Sequence, residues 1–118
     1  MNIGNAPIFT VKFEGKAVGV NGRYVNRTFN TSAAYKKFKD DIAVCTNGAL
    51  DYAGDVGMNI QLTISKSRDA DSILKPLFDG IELSGVIRND NQIMSFCVEK
   101  TAKKRGELDK ISVKGYAI

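Results

Sequence analysis

Two patterns in the chain predict an α+β fold, a mixed β-sheet with two main helices packed on one side. Met58, Ile60, Leu62 and Ile64 alternate strictly with Asn59, Gln61, Thr63 and Ser65, the period-two pattern of a strand with one buried face. Segments on either side of it place their apolar residues three and four apart, the period of a helix with one buried stripe. The resulting order of strand, helix, strand, helix, strand, strand suits helices gathered against one face of a sheet.

The first strand is expected at Ile8–Phe13, where Phe9, Val11 and Phe13 alternate with Thr10 and Lys12. Gly15–Asn30 is rich in glycine and asparagine and reads as an ordered loop or short irregular strands. Thr31 or Ser32 can cap a helix running to about Thr46. Its apolar stripe is Tyr35, Phe38, Ile42, Cys45 and Ala49, which leaves Lys36, Lys37, Lys39 and Asp40 away from the core. After the Met58–Ser65 strand comes a polar junction, Lys66–Asp71, and a second helix from about Asp71 to Ser84. Leu74, Leu77, Phe78 and Ile81 form its inward stripe, and Ser72, Lys75, Asp79 and Glu82 its polar one. Pro76 requires either a start at Ser72 or a distorted first turn, and Gly85 is a good stop. Arg88–Gln92 reads as a polar loop. Ile93–Lys100 and Lys110–Ile118 are expected as two strands paired in a long hairpin, with Lys103–Gly106 near its turn.

At 118 residues the chain fits one domain, residues 1–118. A hydrophobic content of 43% and a charged content of 25% are those of an ordinary soluble protein. No apolar run approaches the roughly 20 residues that span a bilayer. The N-terminus lacks the basic-then-apolar pattern of a secretory signal, so a cytoplasmic location is expected. Cys45 and Cys97 lie in apolar contexts, and the expectation is two buried, reduced thiols. The net charge is +4 and the pI about 9.1. Basic residues cluster as Lys36, Lys37 and Lys39, as Lys66 and Arg68, and as Lys100, Lys103, Lys104 and Arg105. Such patches favour a polyanion, although lysines also simply solvate exposed faces. Charge alone does not decide between the two.

Three carboxylates carry the chemistry. Asp69 and Asp71 flank Ala70 just beyond the Met58–Ser65 strand, and in extended backbone two residues so spaced point the same way. Asp90 follows the next helix, and neighbouring strands would bring its loop beside the first pair. Clustered acids need a compensating cation. Oxygen donors in a chain without histidine point to Mg²⁺ or Mn²⁺ rather than zinc. The lack of histidine also excludes a serine–histidine or cysteine–histidine nucleophile, which leaves metal-bound water as the natural nucleophile of a hydrolase. Lys75, one turn beyond Asp71, can stabilise charge developing on a phosphate, and the helix N-terminus suits the same group. Each residue also has a plainer reading: Asp71 as an N-cap, Asp69 in a polar turn with Arg68, Lys75 in a surface pair with Asp79 or Asp71, and Asp90 as a turn residue between asparagines.

Taken together, Arg68-Asp69-Ala70-Asp71-Ser72-Ile73-Leu74-Lys75, Phe78-Asp79-Gly80-Ile81, Gly85-Val86-Ile87 and Asn89-Asp90-Asn91-Gln92-Ile93 resemble the RusA family of Holliday junction resolvases. That family carries an acid-x-acid-Asn-Leu-x-Lys signature, a helical Asp, a Gly, and a later acid pair followed by x-Gln. Val20-Asn21-Gly22-Arg23-Tyr24 is similar to its Asn-x-x-Tyr segment without the usual proline pair. The resemblance implies a RusA-like fold and a homodimeric, Mg²⁺-dependent endonuclease that resolves four-way DNA junctions, commonly in phage or prophage. It assigns catalysis to Asp69, Asp71, Asp90 and Lys75, with the three acids as metal ligands and Asp79 in support. Lys66, Arg68, Lys100, Lys103, Lys104 and Arg105 would then grip DNA, with Arg23 and Arg27 as weaker candidates. Ser72 stands where the family has Asn, Asn89 replaces the first acid of the later pair, and Ala70 replaces a larger apolar residue. The eroded positions Ser72 and Asn89 favour an alternative, a non-catalytic protein binding branched DNA on the same scaffold.

Overall fold

The computed structural model describes residues 6–20 and 32–118. Strand β1 is Phe9–Gly15, helix α1 Ala33–Cys45, β2 Thr46–Gly48, β3 Val56–Ile64, helix α2 Ala70–Ser84, β4 Ile93–Ala102 and β5 Asp109–Ala117. They build one five-stranded mixed sheet in the order β2-β1-β5-β3-β4. The α+β class, the mixed sheet and the two helices agree with the expectation.

Alternation along the strands decides which face is covered. Phe9, Val11, Phe13, Met58, Ile60, Leu62, Ile64, Ile111 and Val113 point to one side, where they form a single core with Phe38 and Ile42 of α1 and Ile73, Leu77 and Ile81 of α2. On the other side Lys12, Gln61, Lys110 and Lys114 are exposed. Ser32 caps α1, its hydroxyl accepting from the Tyr35 N–H at 3.1 Å; Thr31, the other candidate cap, lies outside the described residues. The helix stops at Cys45, short of Ala49, because the next three residues pair as β2 with β1.

The expected hairpin is not formed. β4 runs parallel to β3 at the sheet edge, and β5 is inserted between β1 and β3, antiparallel to both. The reason lies in the side chains. Asp109, Ile111, Val113 and Gly115 of β5 are all buried, which suits a central strand, whereas nearly all of β4 is exposed or half-exposed. The 103–108 link therefore crosses the end of β3, where the Lys103 N–H donates to the Ile64 carbonyl at 2.9 Å. A parallel β3–β4 pair needs a long crossover, and α2 supplies it.

Two smaller expectations also change. α2 starts at Ala70 and continues through Pro76, with Ile73 rather than Leu74 fully buried. Leu74 and Phe78 flank the stripe, and Phe78 meets Phe96 of β4 edge-to-face, ring centroids 5.2 Å apart. Both cysteines are free, but Cys97 is exposed and Cys45 half-buried, because Cys97 falls on the uncovered face of an edge strand. No helix among the described residues is long and apolar enough to cross a membrane.

Candidate active site

The outer stripe of α2 gathers the candidate residues. Asp69 occupies the N-cap position in extended conformation, yet its side chain makes no capping hydrogen bond. Asp71 lies in the first helical turn, so it is not the cap. Neither carboxylate has a hydrogen-bond or ion-pair partner among the described residues, and both residues are exposed. Two neighbouring acids left unneutralised at the start of a helix are available to a cation. The Ser72 hydroxyl donates to the Asp69 carbonyl at 2.8 Å. Ser72 also touches the 16–20 segment, since a β-carbon placed on Gly19 would lie 2.6 Å from its Oγ.

Lys75 and Asp79 continue the stripe at four-residue steps. The Lys75 ammonium donates to Asp79 Oδ1 at 3.1 Å and stands 4.0 Å from Asp90 Oδ2. Asp79 is the main reason the Lys75 pKa is raised, through its hydrogen bond and its charge. Partial burial opposes this, and Asp90 adds a smaller push. The surface pair with Asp79 expected from spacing is therefore present, and the ammonium also faces Asp90.

Asp90 is held by contacts that local sequence did not reveal. It opens a single 3-10 turn, Asp90–Gln92, capped by the Asn89 side chain, which accepts the Asn91 N–H at 2.9 Å. Capping needs a short side-chain oxygen, which Asn and Asp supply equally, and this gives Asn89 a role at the position where the family has an acid. The Asp90 N–H donates to Glu82 Oε1 at 2.7 Å, fastening the turn to α2. Gln92 is the hub: its Oε1 accepts from the N–H groups of Arg88 (2.7 Å) and Asn89 (2.9 Å). Its Nε2 donates to the carbonyls of Tyr52 and Gly54, each at 2.8 Å. All of its hydrogen-bonding capacity goes into fixing the loop that carries Asp90.

The parallel register governs how the acids are distributed. Val56 pairs with Ile93 and Ile64 with Ala102, so Asp90 enters at the start of β3 while Asp69 and Asp71 leave from its end. Helix α2 runs back between them, and Asp71 to Asp79 spans roughly 12 Å of helix axis at about 1.5 Å per residue. Lys75 stands in that interval. Among the described residues, no three Asp, Glu or Cys side chains converge on one point where they could hold a metal ion. The donor chemistry suits a hard cation, but one chain in this arrangement does not close three carboxylates around it.

The basic residues divide into two groups. Arg68 Nη1 donates to Asp109 Oδ2 at 3.2 Å, and Lys103 Nζ lies 2.9 Å from Asp109 Oδ1. The second contact is an ion pair whose angles fall short of a hydrogen bond. The Lys100 ammonium donates to the carbonyls of Lys66 (2.8 Å) and Arg68, clamping the loop before Asp69. These cations shape the site's support. Lys66, Lys104 and Arg105 are exposed. Arg23, Arg27 and most of the 20–24 segment lie outside the described residues. Asp109 and Glu82 escaped the sequence reading of the site. The signal for Asp109 was its alternation with Ile111 and Val113, which places it on the buried face.

The model of the family described as Endodeoxyribonuclease RusA matches residues 14–114. Over 59 residues the chain is 39% identical to a protein of Aquifex aeolicus (strain VF5) named Crossover junction endodeoxyribonuclease RusA. That match covers 50% of this chain and 47% of the relative, so the chain spans about half the length of the curated protein it matches. The family match takes in α1, β2, β3, α2, the Asp90 turn and β4, with the end of β1 and the first two thirds of β5, and with them every described candidate residue. The chain belongs to the RusA family.

Proposed function

We propose that this protein is a structure-selective endodeoxyribonuclease that resolves four-way junctions or related branched DNA by phosphodiester hydrolysis. The observation that carries this reading is the α2 stripe: Asp69 and Asp71, unpartnered among the described residues, then Lys75 held beside Asp79 and Asp90. Family membership supplies the substrate class, and the Aquifex relative bears the name of a junction endonuclease.

Asp69, Asp71 and Asp90 are the residues that would hold Mg²⁺, or Mn²⁺. When bound, the ion supplies an activated water and neutralises phosphate charge. Among the described residues no three carboxylates converge on one point, so Asp90 would join Asp69 and Asp71 only by a shift of its turn or from a second copy, with water and phosphate oxygen supplying the other ligands. Lys75 keeps a fixed positive charge where a phosphate oxygen would gain charge, which favours the transition state over the ground state. Exposed Lys66, Lys104 and Arg105 suit contacts to the DNA backbone. A homodimer is supported by the resemblance and by β4, a ten-residue strand at the sheet edge with Met94 and Phe96 exposed. A single-domain, cytoplasmic protein fits this reading.

The test is cleavage of a synthetic four-way junction with Mg²⁺ or Mn²⁺. Wild-type protein is expected to nick opposed strands, while Asp90→Asn binds without cutting. Binding with no metal-dependent cutting by the wild type would sink the nuclease reading. It would favour instead the non-catalytic junction binder.

A further inference from the structure

Asp109 is a buried carboxylate, 3% exposed, and the proposed chemistry does not use it. It sits at the first position of β5 on the core side. Its Oδ2 accepts the Ala17 N–H at 2.9 Å and Arg68 Nη1 at 3.2 Å, and its Oδ1 faces Lys103 at 2.9 Å. A buried carboxylate is costly unless it is paired and hydrogen-bonded, and here three chain segments converge to do so. One segment is 16–20, which passes over Ser72. Another is the 103–108 link. The third is the loop ending in Arg68, immediately before Asp69.

The Arg68 side chain is 31% exposed. Of its five donors, only Nη1 is engaged among the described residues. A guanidinium anchored on one edge keeps its other edge for a second anion, and anchoring removes the ordering cost of that contact. From this geometry we infer that Asp109 is a positioning residue for DNA: it fixes Arg68 so that the free guanidinium edge meets a backbone phosphate beside the acidic pair. Lys103 balances the charge of the carboxylate and makes no phosphate contact. The inference rests on the proposed reading of the protein as a branched-DNA nuclease.

The test measures binding of the full chain to a four-way junction in EDTA, by fluorescence anisotropy over a range of salt and well below each variant's melting midpoint. Arg68→Gln is expected to weaken binding about tenfold and to flatten the salt dependence by about one released counterion. Asp109→Asn should do the same, and Arg68→Gln/Asp109→Asn should be no worse than either alone. A merely structural Asp109 would lower the melting midpoint and leave affinity at wild type, or weaken it by a factor that multiplies that of Arg68→Gln; either result overturns the inference. If Asp109→Asn does not fold, Arg68→Lys asks the same question from the other side, because an ammonium paired with Asp109 keeps the charge but has no second edge for a phosphate. Binding weakened as in Arg68→Gln supports the assignment, and wild-type affinity and salt slope refute it. Wild-type protein that binds no junction refutes the proposed function and the phosphate role of Arg68 with it. Wild-type binding that Asp109→Asn leaves intact removes only Asp109.

Discussion

Lys75 Nζ stands 4.0 Å from Asp90 Oδ2, joining the outer stripe of α2 to the turn that follows it. That relationship places a cation between the Asp69–Asp71 pair and the third candidate acid. Without it, Asp79 and Asp90 would lose the cation that both of them face.

Lys75 should act as a fixed charge and not as a proton carrier. Asp79, and to a lesser extent Asp90, hold its pKa above the ordinary 10.5. The sign follows from linkage: a raised lysine contributes stability that is complete below its unfolded value and is lost as pH rises through the folded one. With the side chain 51% exposed, solvent screening keeps that contribution small. The pH profile of single-turnover cleavage should therefore show no Lys75 limb below 10.5. Lys75→Met should cut about 100-fold slower or worse with junction affinity close to wild type. An activity that falls steeply well below 10.5 in wild type, but not in Lys75→Arg, would contradict the fixed-charge role.

Asp69 and Asp71, without partners among the described residues, predict a separation between apo stability and metal response. Asp71→Asn removes a charge that favours the helix N-terminus by about 0.3–1 kcal/mol, so the apo protein should melt only slightly earlier. Asp69→Asn should be nearly silent in apo protein, since its side chain makes no cap bond. In titrations with Mg²⁺ or Mn²⁺ the wild type should gain stability, about 2.7 kcal/mol at a hundredfold excess over Kd. Each variant should lose most of that gain. A metal-dependent melting shift that survives in both would remove the acidic pair from the ion's ligands.

Gln92 and Asn89 give opposite predictions although they share one turn. Gln92→Leu strands the N–H groups of Arg88 and Asn89 and the carbonyls of Tyr52 and Gly54. It should cost at least ~1–3 kcal/mol in urea unfolding, the penalty for a buried unsatisfied group, and should slow cleavage by loosening Asp90. Asn89→Asp preserves the cap and should leave both readouts near wild type, whereas Asn89→Ala should cost about 1 kcal/mol. If Asn89→Asp instead raised metal affinity severalfold, Asn89 would occupy a ligand position and not merely a cap.

The sequence was legible where function and packing share a local period. The alternation from Met58 to Ile64 located β3, Ser32 marked the start of α1, and the stripe through Ser72, Lys75 and Asp79 identified the face of α2 that carries the site. Strand pairing was not legible. Ile93–Ala102 and Asp109–Ala117 are joined by a short link that reads as a turn, and only the burial of Ile111 and Val113 against the exposure of β4 tells centre from edge. That one ambiguity controls the site, because a parallel β4 delivers Asp90 to the opposite end of β3 from Asp69 and Asp71. The partners of Arg68 and Lys103 were hidden for a related reason. Spacing offers those cations nearer acids, Asp69 and Asp71 for Arg68 and Glu99 and Glu107 for Lys103, whereas the fold pairs both with Asp109.

Gly80 tests whether the helix that carries the site can shift without losing function. A β-carbon there would lie 2.6 Å from Ile42 Cβ and 2.8 Å from the Lys39 carbonyl, so α1 and α2 touch backbone to backbone at this point. Neither obstacle is the movable tip of a side chain, and Ile42 is fully buried. Gly80→Ala gains helix propensity of up to about 1 kcal/mol. It must also push the helices apart, at a cost of about 1–3 kcal/mol for an overpacked core. The net should be destabilising in urea unfolding. Asp79 precedes Gly80 and pairs with Lys75, so the same displacement should carry the pair away from Asp90 and lower cleavage even where the variant is fully folded. Wild-type cleavage by fully folded Gly80→Ala would mean that α1 and α2 accommodate the β-carbon without moving the Lys75–Asp79 pair from Asp90.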